Sequence, residues 1–301
     1  MKNVFVTMPF PGVRRVGEEG AKLGLWELLV LEGGRVPIPP ADLYVLGSWH
    51  LQYVHVLSAL PTRARVGVCW TSSAAEMELN AWVERDYLAG LLQDPRISFI
   101  WFGDPGLAQV YPEKGFAYTY PLQFNPQPPQ PKADILTLLC PDKPSKNIFA
   151  QLLAVSIIQK HRPELVLHTN IQDLRGLGDR LKVVQHGWLP RPEYHALLAS
   201  ARLNLAASFS ETMCYQGAEA VMLGTPCLLS DAVPWTGSPA DNPFTSTLLD
   251  AEQLAEDILM HLQGTEYVLE QQLENVRLYS SNFHREEWES LCLDAAQRQH
   301  L

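Results

Sequence analysis

The chain has 301 residues, 47% hydrophobic and 19% charged, a makeup that supports one large or two ordinary soluble domains with a full core. Its formal net charge of −10 argues against broad, sequence-independent nucleic-acid binding, and no apolar run approaches the length needed to span a bilayer. Cys69, Cys140, Cys214, Cys227 and Cys292 are scattered with no Cys-x-x-Cys pair, so buried free thiols, a reducing cytoplasm and no structural zinc are expected.

Residues 3–8 read as a buried strand, and the start lacks the long apolar core and small-residue cleavage site of a signal peptide. Pro9 to Gly20 reads as a glycine-containing loop opening a helix that continues through Leu25, Trp26, Leu28 and Leu29. Such a loop suits an anion, although it carries no dinucleotide fingerprint. Leu43 to Leu46 is the next apolar run and ends at Gly47-Ser48-Trp49-His50, which puts His50 where a strand gives way to a helix reaching about Leu60. Arg65 to Trp70 and Arg96 to Phe102 read as strands around a helix from Ala74 to Leu92, and Tyr118 to Phe124 as the last strand of this half. This alternation indicates a parallel sheet with helices on both faces.

Asn125 to Pro131 holds four prolines in seven residues and cannot continue a helix or a central strand. We read residues 126–132 as a semi-rigid extended linker between a first domain at 1–125 and a second at 133–265. The second half repeats the rhythm: strands at Asp134–Cys140, Leu165–His168 and Leu181–Val184, with helices through Phe149–Ile158 and Glu193–Ser200. Lys143 and Lys146 sit at a strand-to-helix junction, where ammonium groups and a helix N-terminus together suit a diphosphate. From Asp250 the chain is mostly helical, opening on an N-cap signal.

The most informative stretch is Ala201 to Asp231, which reads as strand, loop, helix, tight turn and strand. Glu211 and Glu219 are separated by seven residues; on a helix begun near Glu211 they would lie on roughly one face, ~12 Å apart along the axis. That separation rules out a shared proton and suits the two ends of one elongated polar ligand. Gly224 ends the helix, and Thr225-Pro226 leads into the apolar run Cys227–Leu229.

Glu211, then Glu219-Ala220, then Gly224-Thr225-Pro226, together resemble the donor-binding half of GT-B-fold glycosyltransferases, most closely the large retaining group called family 4. The resemblance covers roughly residues 134–235. It implies an α/β GT-B fold: two Rossmann-like domains whose parallel sheets face across a cleft, with a C-terminal helical segment, residues 266–301, crossing back onto the first domain. It also implies that Glu211 binds donor-sugar hydroxyls and Glu219 the ribose hydroxyls. Ser145-Lys146-Asn147 resembles the family's basic loop, so Lys146, with Lys143 and Asn147, would hold the donor diphosphate. Gly187 and Trp188 would lie against the nucleotide base. The loop at Gly12, Arg14 and Arg15 would flank the phosphates or the acceptor, and His50 the donor sugar or acceptor. One departure stands out: the family's Gly-aromatic-Gly after the first Glu is Thr212-Met213-Cys214 here, so these donor contacts differ.

The implied activity is a cytoplasmic, metal-independent hexosyl transfer from a UDP-, GDP- or ADP-sugar to an acceptor hydroxyl with retention of configuration. Glu211, Lys146 and His50 are the candidate catalytic residues. No metal or cofactor is expected, the nucleotide sugar being a substrate, and the chain has no Asp-x-Asp. A saccharide, a lipid-linked saccharide, a protein and a modified nucleic-acid base all stand as acceptors. A nucleotide-sugar epimerase, an inverting transferase on the same fold and a non-catalytic nucleotide-sugar binder are the alternatives.

Overall fold

The computed structural model describes residues 2–9, 11–32, 37–48, 53–61, 64–73, 77, 81–236 and 250–297. The chain divides into two compact units, Met1–Gln123 with Tyr279–Leu301, and Phe124–Leu278.

The first unit begins β1 (Asn3–Thr7), α1 (Pro11–Lys22), β2 (Glu27–Val30), β3 (Leu43–Gly47) and α2 (Tyr53–Ala59). It continues β4 (Arg65–Trp70), α3 (Ala81–Gln93), β5 (Phe99–Phe102), α4 (Pro105–Val110) and β6 (Gly115–Ala117). These strands form one sheet in the order β2-β1-β3-β4-β5-β6, and every described pairing is parallel. All of β1, β3 and β5 is buried, which is why these strands are apolar without alternation: a parallel sheet is covered on both faces.

The sequence expectation fails here after α1 and after β6. The helix expected to run through Leu29 stops at Lys22, where Gly24 takes a left-handed φ of 69°, and Leu28 and Leu29 pair with β1 as part of β2. Tyr118 to Phe124 is not a strand. The last strand lies earlier, at β6, and the backbone beyond it bonds to side chains: Tyr120 N–H donates to the Tyr279 hydroxyl at 3.0 Å, and Trp101 Nε1 donates to the Tyr118 carbonyl at 3.0 Å.

The second unit contains β7 (Ile135–Leu138), α5 (Ile148–Ile158), β8 (Val166–Thr169), β9 (Val183–Gln185), α6 (Arg191–Ser200), β10 (Leu203–Ala206), α7 (Tyr215–Met222) and β11 (Cys227–Leu229). Helix α8 (Ala251–Gln263) follows, N-capped by Asp250 Oδ1 on the Glu252 and Gln253 amides, and then α9 (Thr265–Ser281). The five strands pair in parallel in the order β11-β10-β7-β8-β9. Their core is aliphatic, with Leu136, Leu138, Leu152, Leu203, Leu205 and Ile258 all fully buried.

The proline-rich segment counts with this second unit, held where Gln127 N–H donates to the Met222 carbonyl at 2.6 Å. Residues 266–278 also stay with it, whereas Tyr279 and α10 (Arg285–Gln297) belong to the first unit. There Trp288 of α10 is fully buried, its ring 5.3 Å from Trp26 and 5.5 Å from Trp101. Among the described residues no helix is long and apolar enough to cross a membrane.

Strand order locates the chemistry. In an open parallel sheet, ligands bind outside the carboxyl ends of the strands where the winding direction reverses. In the second unit β8 lies on one side of β7 and β10 on the other, so the reversal falls between β7 and β10. In the first unit it falls between β1 and β3.

Candidate functional site

The segments leaving β7 and β10 carry two of the residues that the sequence singles out, Lys146 and Glu211. After β7 the chain turns through a short 3-10 segment, Pro144–Lys146, and Asn147 takes a left-handed φ of 51° before α5 begins. After β10 comes an irregular loop from Ala207 to Cys214. The loops are tied together: Phe209 N–H donates to the Ser145 carbonyl at 2.8 Å, and the buried Gln151 amide bridges them. Gln151 Nε2 donates to the Lys146 carbonyl at 2.7 Å while its Oε1 accepts from Ala207 N–H at 3.1 Å.

On this scaffold Lys146 Nζ donates to Glu211 Oε1 at 2.7 Å, with the two side chains only 13% and 10% exposed. Ser208 Oγ donates to the same oxygen at 2.8 Å. The Cys140 thiol nearby is pushed up to about 12, first by burial; Lys146 pulls it down, and Glu211 and Asp142 push it further up. It stays a neutral thiol beside the charged pair. Asp142 itself pairs with Arg175.

Glu211 is not on the helix. Helix α7 begins at Tyr215, so the helical spacing expected between Glu211 and Glu219 does not hold. The cause is Cys214, which takes φ 59° and ψ 59° and breaks the chain direction just before α7. It occupies the last position of the Thr212-Met213-Cys214 triplet, where the resembled pattern has glycine, and it adopts glycine's left-handed conformation with a side chain attached. Met213 is 2% exposed and its carbonyl accepts from Trp235 Nε1 at 2.7 Å, so its side chain belongs to the core. Thr212 is half-buried.

Glu219 forms a second cluster. Tyr194 donates its hydroxyl to Oε2 at 3.2 Å, and Arg191 NH2 reaches Oε1 at 3.3 Å. His195 Nε2 lies 3.5 Å from Oε1, outside hydrogen-bonding geometry. The sequence reading passed over all three residues. Their signal was the spacing 191, 194, 195, which puts them on one face of α6 at its N-terminal end. Ser208 and Gln151 were also passed over; neither has a sequence signature apart from the loops it joins.

The remaining candidates are more dispersed. Lys143 is half-buried and Asn147 is buried. Gly187 and Trp188 follow β9 and are exposed, Trp188 by 68%. Just before them His186 Nε2 meets His168 Nδ1 at 3.0 Å. In the first unit Gly12, Arg14 and Arg15 lie within α1 and not in a loop before it. Arg14 Nε donates to Glu18 at 2.9 Å, and Arg15 pairs with Glu18 and Glu19 at 3.3 Å. These arginines brace their own helix. His50 lies outside the described residues.

No protein-family model matches the chain, and no curated protein matches it. Solved structures do. Anabaena HepE in complex with UDP-glucose superposes with a TM-score of 0.72 at 12% identity, covering 99% of each chain. Sucrose-phosphate synthase from Thermosynechococcus elongatus gives 0.63 at 15%, covering 100% of this chain and 98% of that one. S. aureus TarM in complex with fondaparinux, alpha-GlcNAc-glycerol and UDP gives 0.66 at 10%, covering 84% of this chain. The chain spans about 55% of the length of TarM but nearly all of HepE. At such identities the likeness is one of fold, and with its two parallel Rossmann-like sheets the chain adopts the GT-B fold.

Proposed function

We propose that the protein is a glycosyltransferase that moves a sugar from a nucleotide-sugar donor to an acceptor hydroxyl. One observation carries this reading: a cation and a carboxylate, Lys146 and Glu211, meet at the switch point of a parallel sheet. A diphosphate needs the former and sugar hydroxyls the latter. Glu219, braced by Arg191 and Tyr194, supplies a second carboxylate for the ribose diol. The complexes of HepE with UDP-glucose and of TarM with UDP support a nucleotide at this kind of fold.

In the proposed reaction the bond between the anomeric carbon and the departing phosphate oxygen breaks, and the acceptor oxygen bonds to that carbon on the same face. The leaving phosphate oxygen takes the acceptor proton, so configuration is retained without a protein nucleophile. Lys146 offsets the negative charge that grows on the leaving diphosphate. The reaction needs no metal, hexosyl donors are the expected class, and a cytoplasmic location fits a nucleotide-sugar substrate. His50 is retained as a candidate beside the sugar or acceptor.

The test is a melting-temperature panel of UDP, GDP, ADP and their sugar conjugates, with and without EDTA. A ligand at a hundred times its dissociation constant adds ~2.7 kcal/mol to stability. A shift with one nucleotide series, unchanged by EDTA and lost in Glu219→Ala, supports the reading; no shift with any nucleotide overturns it. Nuclear magnetic resonance of the product's anomeric proton then decides retention.

A further inference from the structure

Lys146 and Glu211 are bonded to each other, yet the proposed reaction asks each to bind a different part of the donor. A diphosphate then competes with Glu211 Oε1, 2.7 Å from Lys146 Nζ, for one ammonium group, and a diphosphate that draws that group away breaks the bond. Among the described residues, Ser208 at 2.8 Å is then the remaining donor to that carboxylate. Glu211 would be left a tenth exposed, with a phosphate group of like charge beside it. A buried carboxylate stripped of its counter-ion is costly, and a neighbouring anion makes it more so.

The intact donor removes that cost, because its sugar hydroxyls donate to Glu211 as the diphosphate takes Lys146. The spent nucleoside diphosphate brings phosphate without hydroxyls. We propose that the Lys146–Glu211 pair is a discriminator: Glu211 makes the site prefer the sugar-bearing nucleotide over the bare nucleoside diphosphate. After transfer it favours release, because the ion pair re-forms as the diphosphate leaves. This inference rests on the nucleotide-sugar reading and adds to it the residue that separates substrate from product.

The experiment is isothermal titration of wild type, Glu211→Gln and Ser208→Ala with UDP, GDP and ADP and with their glucose conjugates. Wild type should bind the conjugate of one series about tenfold more tightly than its bare diphosphate, the ratio expected when one buried polar group goes unsatisfied. Glu211→Gln removes the stranded charge, so the diphosphate should bind more tightly, the conjugate more weakly, and the ratio should fall towards one. Ser208→Ala removes the hydroxyl that donates to the stranded carboxylate, so its ratio should widen; this variant decides the matter if Glu211→Gln does not fold. A wild-type ratio of one, or a Glu211→Gln variant that weakens both ligands equally, overturns the proposal while leaving the nucleotide site intact. Binding of no nucleotide by wild type overturns the nucleotide-sugar reading itself.

Discussion

Gln272 closes the open edge of the second sheet through a single residue, Cys227. Its Oε1 accepts from the Cys227 N–H at 2.9 Å, and its Nε2 donates to the Cys227 carbonyl at 2.6 Å. Among the described residues strand β11 is outermost and its outward backbone groups have no neighbouring strand, so a side-chain amide on α9 stands in for one. Gln272 is 1% exposed, so nothing from solvent replaces it. Gln272→Leu should lower unfolding stability by about 3 kcal/mol, the combined cost of two buried backbone groups left unsatisfied. Gln272→Glu should also destabilise, because a carboxylate accepts from the N–H but faces the carbonyl with an oxygen. Urea denaturation reads both; a change below ~1 kcal/mol in Gln272→Leu contradicts the edge role.

Lys146 and Glu211 invite a double-mutant cycle. Lys146→Met strands a carboxylate that is a tenth exposed, and should cost ~3 kcal/mol, the lower end of the range for breaking a buried pair. Adding Glu211→Gln should restore much of that loss, because no lone charge remains. Both variants should lose transfer activity. Additive stability losses would mean that the two side chains do not interact in solution.

Glu219 predicts the opposite balance. Arg191 is 40% exposed and stays solvated without its partner, so Glu219→Gln should change stability by less than ~1 kcal/mol. Nucleotide affinity should fall by about ten- to a hundredfold, as for loss of a hydrogen bond to a charged group. Tyr194→Phe removes one donor that orients the carboxylate, and should cost less than about tenfold. Titration with the responding nucleotide checks both, and unchanged affinity in Glu219→Gln removes it from the site.

How much of this was legible in the sequence depended on the range of the forces involved. Buried parallel strands are apolar along most of their length, so β1, β3, β4 and β10 could be read from local runs, as could the left-handed glycine after α7, Gly224 at φ 79°. Strand β2 was missed because it is short and edge-like, and because its pairing with β1 is tertiary. The spacing from Glu211 to Glu219 drew attention to these two residues on a premise the structure does not keep. A helix was assumed to join them, whereas the left-handed Cys214 places Glu211 in a loop. The spacing of Arg191 and Tyr194 marks one face of α6, but what that face bonds, like the partners of Gln151, follows only from tertiary packing, since Arg191 and Gln151 lie 28 and 56 residues from the groups they bond.

All five cysteines are buried, and each thiol is raised, burial being the largest cause in every case. Cys140 and Cys227 rise to about 12. Thiolate is the reactive form, so at pH 8 the native protein should react negligibly with a disulfide reagent, while the urea-unfolded chain should titrate all five. Rapid labelling of Cys214 in the native state would show that the loop before α7 opens.

His168 and His186 set a pH dependence with a definite sign. His168 is lowered from the ordinary histidine value of 6.5, first by burial and second by repulsion from His186, whose ring nitrogen lies 3.0 Å away. One shared proton satisfies that contact when both rings are neutral, and two protons break it. A histidine with a lowered folded pKa binds fewer protons folded than unfolded. Its contribution is therefore complete above the unfolded value near 6.5 and is lost as pH falls below it, until the folded group also protonates. Melting temperature should drop between pH 7.5 and 5, and less steeply in His168→Gln, which removes both causes. His186→Gln removes only the smaller one and should fall between them. The wild-type-minus-variant difference isolates the pair from the acidic residues, and parallel curves for wild type and His168→Gln would mean that the contact does not form in solution.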